Sequence, residues 1–156
     1  MSYISHRILN AYFLFIMMLI SHNASSVVPE VKPFVDRFVS IAKQCEIKVN
    51  DETLRVEYNE SKEVSAILAT CQRAINLVKV NKPVFDSVHN IVREQLIFHE
   101  LGHCLLHQDH DDNDLNLMNS EGFIEDTAYY NNYNYYIKRL FVGCKADVTF
   151  KYEDYK

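Results

Sequence analysis

The stretch His99-Glu100-Leu101-Gly102-His103 contains the residue types and the spacing of a zinc site. Two histidines four residues apart on a helix project from the same face, so both imidazoles can bind one metal ion. The glutamate between them lies beside the metal, where its carboxylate can take a proton from a water that the metal activates. The motif therefore predicts zinc-dependent hydrolysis with Glu100 as the general base.

A catalytic zinc site needs a further ligand, and the residues after the motif offer several. Catalytic zinc usually has three protein ligands and one open position for water. The near candidates are His107, Asp109 and His110, and the distant ones are Glu121 and Glu125. A near ligand requires the chain to turn back sharply after the helix, whereas a distant glutamate would come from a second helix.

The segment from Arg93 to Met118, REQLIFHELGHCLLHQDHDDNDLNLM, resembles the metzincin group of zinc peptidases. It resembles still more a group of small secreted bacterial metallopeptidases with an H-E-L-G-H-C core. In metzincins the helix ends at a glycine and the third ligand follows three residues later, positions that Leu106 and Asp109 occupy here. In the smaller group both features come one residue later, which implies a turn at His107 and a third ligand at His110.

The conformation of the helix end favours the same later register. Helices often end in a left-handed residue, and leucine is poorly suited to it, whereas a polar residue such as His107 is less unfavourable. We therefore expect Zn²⁺ to be bound by His99, His103 and His110. Asp109 is the alternative third ligand, or it orients a ligand without touching the metal.

Two further residues enter as candidates for the site. Another class of zincins uses a distant glutamate as the third ligand, and Glu125 is the candidate for that arrangement. The metzincin resemblance also implies a Met-turn, a tight turn with a methionine beneath the metal, and assigns it to Met118. Asparagines suited to a turn flank this residue in Asn116-Leu117-Met118-Asn119, although an ordinary core methionine is the alternative.

The elements that would position these residues predict an α+β fold. Hydrophobic periodicity predicts a helix over 31–45, strands over 54–58, 64–70 and 74–80, a long helix from 86 or 87 to about 106, and a final helix within 123–141. The resemblance implies a zincin-like single domain, with a small mostly antiparallel sheet packed on the active-site helix and with N- and C-terminal helices. We expect the strand over 74–80 to hold an extended substrate by edge pairing.

The N-terminal residues have the pattern of a secretory signal. An apolar run from Ala11 to Ile20 follows Arg7 and precedes small polar residues. The run is too short to span a bilayer comfortably. We predict a signal peptide over 1–25, a peptidase domain over 27–156, and a secreted or periplasmic protein. An uncleaved N-terminal membrane anchor is the alternative.

The four cysteines are consistent with export. In an oxidising compartment they predict two disulfides, with three possible connectivities, although four reduced buried thiols are the alternative. We favour Cys71–Cys104, because Cys71 opens the strand expected nearest the site. That choice leaves Cys45–Cys144.

Charge and composition limit the partners. The 156 residues carry a net charge of −5 and contain no basic run, which argues against a nucleic-acid partner. We expect one zinc ion, a peptide or protein substrate, and no stable membrane association once the signal is cleaved. The alternatives are a non-catalytic metal-binding or interaction module on a zincin scaffold and an unrelated helical secreted protein.

Overall fold

Four strands and five helices are present in residues 25–59, 67–112 and 115–150, which are the residues that the computed structural model describes. In chain order they are β1 (Ser26–Val27), α1 (Lys32–Gln44), β2 (Arg55–Asn59), β3 (Ala69–Gln72), β4 (Leu77–Asn81), α2 (Lys82–Ser87), α3 (Asn90–Leu105), α4 (Asp126–Asn131) and α5 (Tyr133–Leu140). The predicted α+β class is confirmed. Residues 1–24 of the predicted signal peptide lie outside the described residues. Within the described part, no helix is both long and apolar enough to cross a membrane.

The sheet has the strand order β1-β2-β4-β3. β1 pairs with β2 and β2 pairs with β4 in parallel, and only β3 and β4 are antiparallel. The expected mostly antiparallel sheet is therefore wrong: the sheet is mixed. β4 lies in the middle because it is buried at every position except Lys79, as is typical of strands covered on both faces.

The region before β4 contains a turn where the apolar residues predicted a strand. The strand predicted over 64–70 lies instead at Ala69–Gln72, and residues 60–66 are outside the described part. The strand predicted over 74–80 begins only at Leu77, because Arg73–Ile75 form a 3₁₀ turn and Asn76 is left-handed with a φ of 51°. Asparagine tolerates this conformation better than most residues. The edge strand on this side of the sheet is therefore β3, and the expected edge pairing through 74–80 is wrong because β4 is paired on both sides.

Helix α1 agrees with its predicted position over 31–45. Pro33 stands in its first turn, where the missing N–H costs nothing. Its apolar face buries Phe34, Val35, Phe38, Ile41 and Ala42. The Phe38 ring packs edge-on against Phe98 of α3, with 5.3 Å between the ring centroids, so α1 supports the helix that carries the motif.

The long helix begins later than the sequence predicts. Asp86 and Ser87, at which the long helix was expected to start, lie in the short helix α2, where Asp86 pairs with Lys82 at 2.7 Å and the Ser87 hydroxyl donates to the Val84 carbonyl. Two residues in extended conformation, ending at His89, separate α2 from α3. The predicted final helix is likewise divided, into α4 and α5.

A buried polar cluster joins α1, α3 and the C-terminal helices. The Glu94 side chain is fully buried, accepts a hydrogen bond from the Tyr129 hydroxyl at 2.7 Å and lies 3.4 Å from the Arg37 guanidinium. The Arg37 Nε donates to the Tyr133 hydroxyl at 3.1 Å. Both tyrosines are therefore packing residues of the core.

Two disulfides close the fold, and their pairing is the one the sequence favoured. Cys45–Cys144 joins the end of α1 to the segment after α5. Cys71–Cys104 joins the edge strand β3 to α3. Disulfides are typical of proteins that fold in an oxidising compartment.

Candidate metal centre

Three histidines converge at one end of the cleft beside α3. The Nε2 atoms of His99 and His103 are 3.1 Å apart, those of His103 and His110 are 3.1 Å apart, and those of His99 and His110 are 3.2 Å apart. Among the described residues these three histidines form a group that could hold a metal ion. The structure thus brings together the three residues that the sequence predicts as ligands.

The spacing of these nitrogens fits a tetrahedral zinc site. Zn–N bonds of about 2.0–2.1 Å in a tetrahedral site place two ligand nitrogens about 3.3 Å apart. The observed separations are within a few tenths of an ångström of that distance. Three imidazole ligands also leave the fourth position open, as catalytic zinc requires.

Backbone carbonyls orient the two helical histidines. The Nδ1 of His99 lies 2.7 Å from the Leu117 carbonyl oxygen, and the Nδ1 of His103 lies 2.7 Å from the Gln108 carbonyl oxygen. A carbonyl only accepts, so each Nδ1 carries the proton and each Nε2 presents a lone pair. Lone pairs that face one another are unfavourable without a cation between them, so this donor set suits a metal ion.

The turn that delivers the third histidine is at His107. Helix α3 ends at Leu105, Leu106 is still right-handed, and His107 has a φ of 56°. The Gln108 N–H then donates back to the Gly102 carbonyl at 3.1 Å, which closes the helix end. The predicted turn at His107 is confirmed, and three residues later His110 reaches its two partners.

The alternative ligands lie elsewhere. The Asp109 carboxylate pairs with Arg73 at 2.8 Å and its side chain is 88% exposed. Glu125 caps α4 by accepting the Ala128 N–H at 2.9 Å. Neither residue, nor Glu121 or His107, belongs to the histidine group.

Met118 lies in a tight turn packed against the motif helix. Its N–H donates to the Asn116 side chain at 2.7 Å, and its carbonyl accepts the Asp111 N–H at 3.0 Å. A Cβ built on Gly102 would lie 2.5 Å from the Met118 sulfur. A side chain at this position of the motif would therefore displace the Met118 thioether.

Glu100 is buried on the same helix, between the two histidines. Burial raises the pKa of its carboxyl to about 7, and a hydrogen bond from the Cys71 backbone N–H opposes that rise. Burial also lowers the pKa of His99 to about 4, and that of His103 below its usual range. Both imidazoles are thus neutral at neutral pH, the form that binds metals.

The three histidines and Glu100 open into a cleft of about 510 Å³. Strand β3 forms one wall and the segment over 116–123 forms the other, with Leu96 of α3 among the lining residues. The Leu68 carbonyl accepts a hydrogen bond from the Asn81 N–H of β4. In an antiparallel pair, every second residue directs its N–H and C=O toward the partner strand, and the residues between them direct theirs away from it. Ala69 and Cys71 therefore direct their backbone groups away from β4, toward the edge.

Several supporting residues escape the sequence reasoning. Gln95 is buried and holds both backbone groups of Ile124, at 2.9 Å and 2.7 Å, and Asn116 shapes the turn of Met118. The sequence signal for the role of Gln95 is its position: it is a polar residue on the apolar side of the helix, one turn before His99. For Arg73, which contacts the loop of the third histidine, no local pattern exists.

Comparison with protein-family models, with curated proteins and with solved structures gave no match. The site is therefore interpreted from its own geometry.

Proposed function

We propose that this protein is a zinc-dependent peptidase that cleaves extended peptide segments, with the ion held by His99, His103 and His110. The observation that carries the proposal is the triangle of three Nε2 atoms 3.1–3.2 Å apart, with the buried Glu100 beside it at the wall of an open cleft. A bound Zn²⁺ would supply Lewis acidity, which brings the pKa of a water toward neutrality and polarises a peptide carbonyl.

In this mechanism Glu100 moves the proton. Its carboxylate accepts a proton from the attacking water and later donates it to the nitrogen of the leaving amine. The Cys71 N–H holds this carboxylate, so its direction is set by the edge strand.

Strand β3 supports binding of an extended chain. The outward N–H and C=O of Ala69 are available for pairing with a peptide laid along the edge. Ile67, Leu68 and Phe123 contribute apolar surface along the same cleft. These features favour an unfolded or extended peptide over a folded protein as the substrate.

The test compares wild type with Glu100→Gln and His110→Ala. We expect wild type to contain one zinc ion and to cleave a library of unstructured peptides, with the products read by mass spectrometry. Glu100→Gln should keep its zinc and lose cleavage by a factor of about 10²–10⁴, the usual contribution of a general base. His110→Ala should lose the zinc.

Three outcomes contradict parts of this proposal. A fully active Glu100→Gln variant would refute the role of Glu100 as the base. Zinc bound by wild type without cleavage of any peptide would instead indicate a non-catalytic metal-binding module. Asp109→Ala is the comparison for His110→Ala: at saturating zinc it should still hold one ion, even with a lowered affinity, and loss of zinc from this variant alone would reverse the ligand assignment.

A further inference from the structure

Arg73 connects the edge of the sheet to the loop that carries the third histidine. It stands in the 3₁₀ turn between β3 and β4, far from the motif in sequence. Its Nη2 donates to the Asp109 carboxylate at 2.8 Å and to the Gln108 carbonyl oxygen, and it lies 3.1 Å from the His103 Nδ1. One guanidinium nitrogen thus touches the loop at two successive residues beside His110.

The contact with the His103 Nδ1 has two possible hydrogen-bonding patterns. If Arg73 donated to that nitrogen, the imidazole proton would sit on Nε2, and His103 could not bind a metal through that atom. If the Nδ1–H instead donates to Gln108, both His103 and Arg73 donate to the same carbonyl oxygen. The 2.7 Å distance from Nδ1 to the Gln108 oxygen favours the second pattern.

We propose that Arg73 and Asp109 form a positioning pair for the metal centre. Arg73 holds the Gln108 carbonyl that orients His103, and it holds Asp109, the residue directly before His110. The inference rests on the proposed metal site and deepens it. It gives Asp109 the orienting role that was the alternative to direct ligation.

The exposure of the pair distinguishes positioning from global stabilisation. The Arg73 side chain is 38% exposed and that of Asp109 is 88% exposed, so the ion pair is screened by solvent and adds little to the free energy of unfolding. The ion pair acts on the loop that carries His110, so we expect it to change the position of that loop and not the stability of the whole domain. Groups that hold metal ligands from outside the coordination shell typically change metal affinity by about 10–100-fold.

A neighbouring cation provides a matched control for charge. Arg55 on β2 and Arg73 line the same cavity at the back of the site. The Arg55 side chain is exposed, and it does not line the cleft of the three histidines. Arg55→Ala therefore removes the same charge from the same region and leaves the loop contacts intact.

The experiment measures zinc affinity by competition with a chelator and unfolding of the zinc-free proteins. Arg73→Ala is expected to weaken zinc binding about 10–100-fold, with little change in the midpoint of zinc-free unfolding. Asp109→Asn should weaken it less, and Arg73→Lys should lie between wild type and Arg73→Ala because it keeps the charge and loses the planar fork. Arg55→Ala should bind zinc as wild type does.

A second readout does not depend on metal. In zinc-free protein, the amide hydrogens of Gln108 and Asp111, both of which are bonded, should exchange about tenfold faster in Arg73→Ala. Equal zinc affinity in wild type and Arg73→Ala, or an equal loss in Arg55→Ala, would overturn the positioning role. If wild type binds no zinc, the proposed function fails, and the exchange rates alone decide whether Arg73 orders the loop.

Discussion

Replacing Gly102 by alanine tests the packing of the Met118 turn against the motif helix. The added Cβ would lie 2.5 Å from the Met118 sulfur and 3.1 Å from the Leu140 Cδ1. Carbon and sulfur atoms pack at about 3.5–4 Å, so the Met118 thioether has to move by about 1 Å, either by turning its side chain or together with the turn that carries it. Overpacking of this kind costs about 1–3 kcal/mol, against about 1 kcal/mol that alanine gains over glycine in a helix. We expect Gly102→Ala to be destabilised by about 1 kcal/mol.

The sign of this effect should reverse once the methionine is removed. Met118→Ala leaves a cavity and should cost about 2–5 kcal/mol. In the Met118→Ala background the methyl group added by Gly102→Ala enters the empty space. The variant then still has the higher helix propensity of alanine, and the clash with the Met118 sulfur is gone. The double variant should therefore be more stable than Met118→Ala alone, which gives a coupling of at least about 1 kcal/mol.

The assay is urea unfolding of all four proteins in the presence of a chelator, so that zinc does not contribute to the free energy. Zinc affinity is measured separately. It should fall in Gly102→Ala to the extent that the turn itself moves, because the turn carries the Leu117 carbonyl that accepts from the His99 Nδ1. The packing argument is refuted if Gly102→Ala has the same effect in both backgrounds, or if it stabilises the wild-type protein.

Two further predictions separate the core from the metal centre. Tyr129→Phe removes a donor from the fully buried Glu94 carboxylate and should cost about 1–3 kcal/mol in urea unfolding, with zinc affinity unchanged; a neutral effect on unfolding would refute the role of this hydrogen bond. Replacing Cys45–Cys144 by serines should cost about 4–5 kcal/mol and replacing Cys71–Cys104 about 3–4 kcal/mol, from their sequence separations of 99 and 33. Only the second replacement should also weaken zinc binding, because it releases β3 from α3; equal zinc affinity in both variants would contradict that link.

The histidine triangle could be predicted because it depends on local geometry. The spacing of His99 and His103 is set by the helical repeat, and the position of His110 follows from where the helix ends. Only a residue that tolerates a left-handed conformation can stand at the end of this helix, and His107 has a φ of 56°. Helix geometry therefore predicts the first two ligands, whereas the register of the third came from the family resemblance and the conformational preference only agreed with it.

The sheet could not be predicted in the same way, because strand order depends on the whole chain. The strands were expected to be mostly antiparallel, yet β4 lies between β2 and β3 and runs parallel to β2. Burial of Leu77, Val78 and Val80 decides that position, and neither alternation nor turn residues indicate it. At the end of β4, Asn81 caps α2 and Pro83 stands in the first turn of that helix, so one short segment ends a strand and begins a helix.

The groups that orient the metal ligands could not be predicted either, because most of them are backbone carbonyls, which the pattern of side chains does not indicate. His99 and His103 are oriented by the carbonyls of Leu117 and Gln108, and every residue has a carbonyl. What selects these two is the path of the chain: the Met118 turn brings one, and the left-handed helix end brings the other. A substitution can therefore weaken the site without touching a ligand, wherever it moves one of these two turns. Arg73 acts on such a turn from 35 residues away, which is why metal affinity is the measurement that should reveal its role.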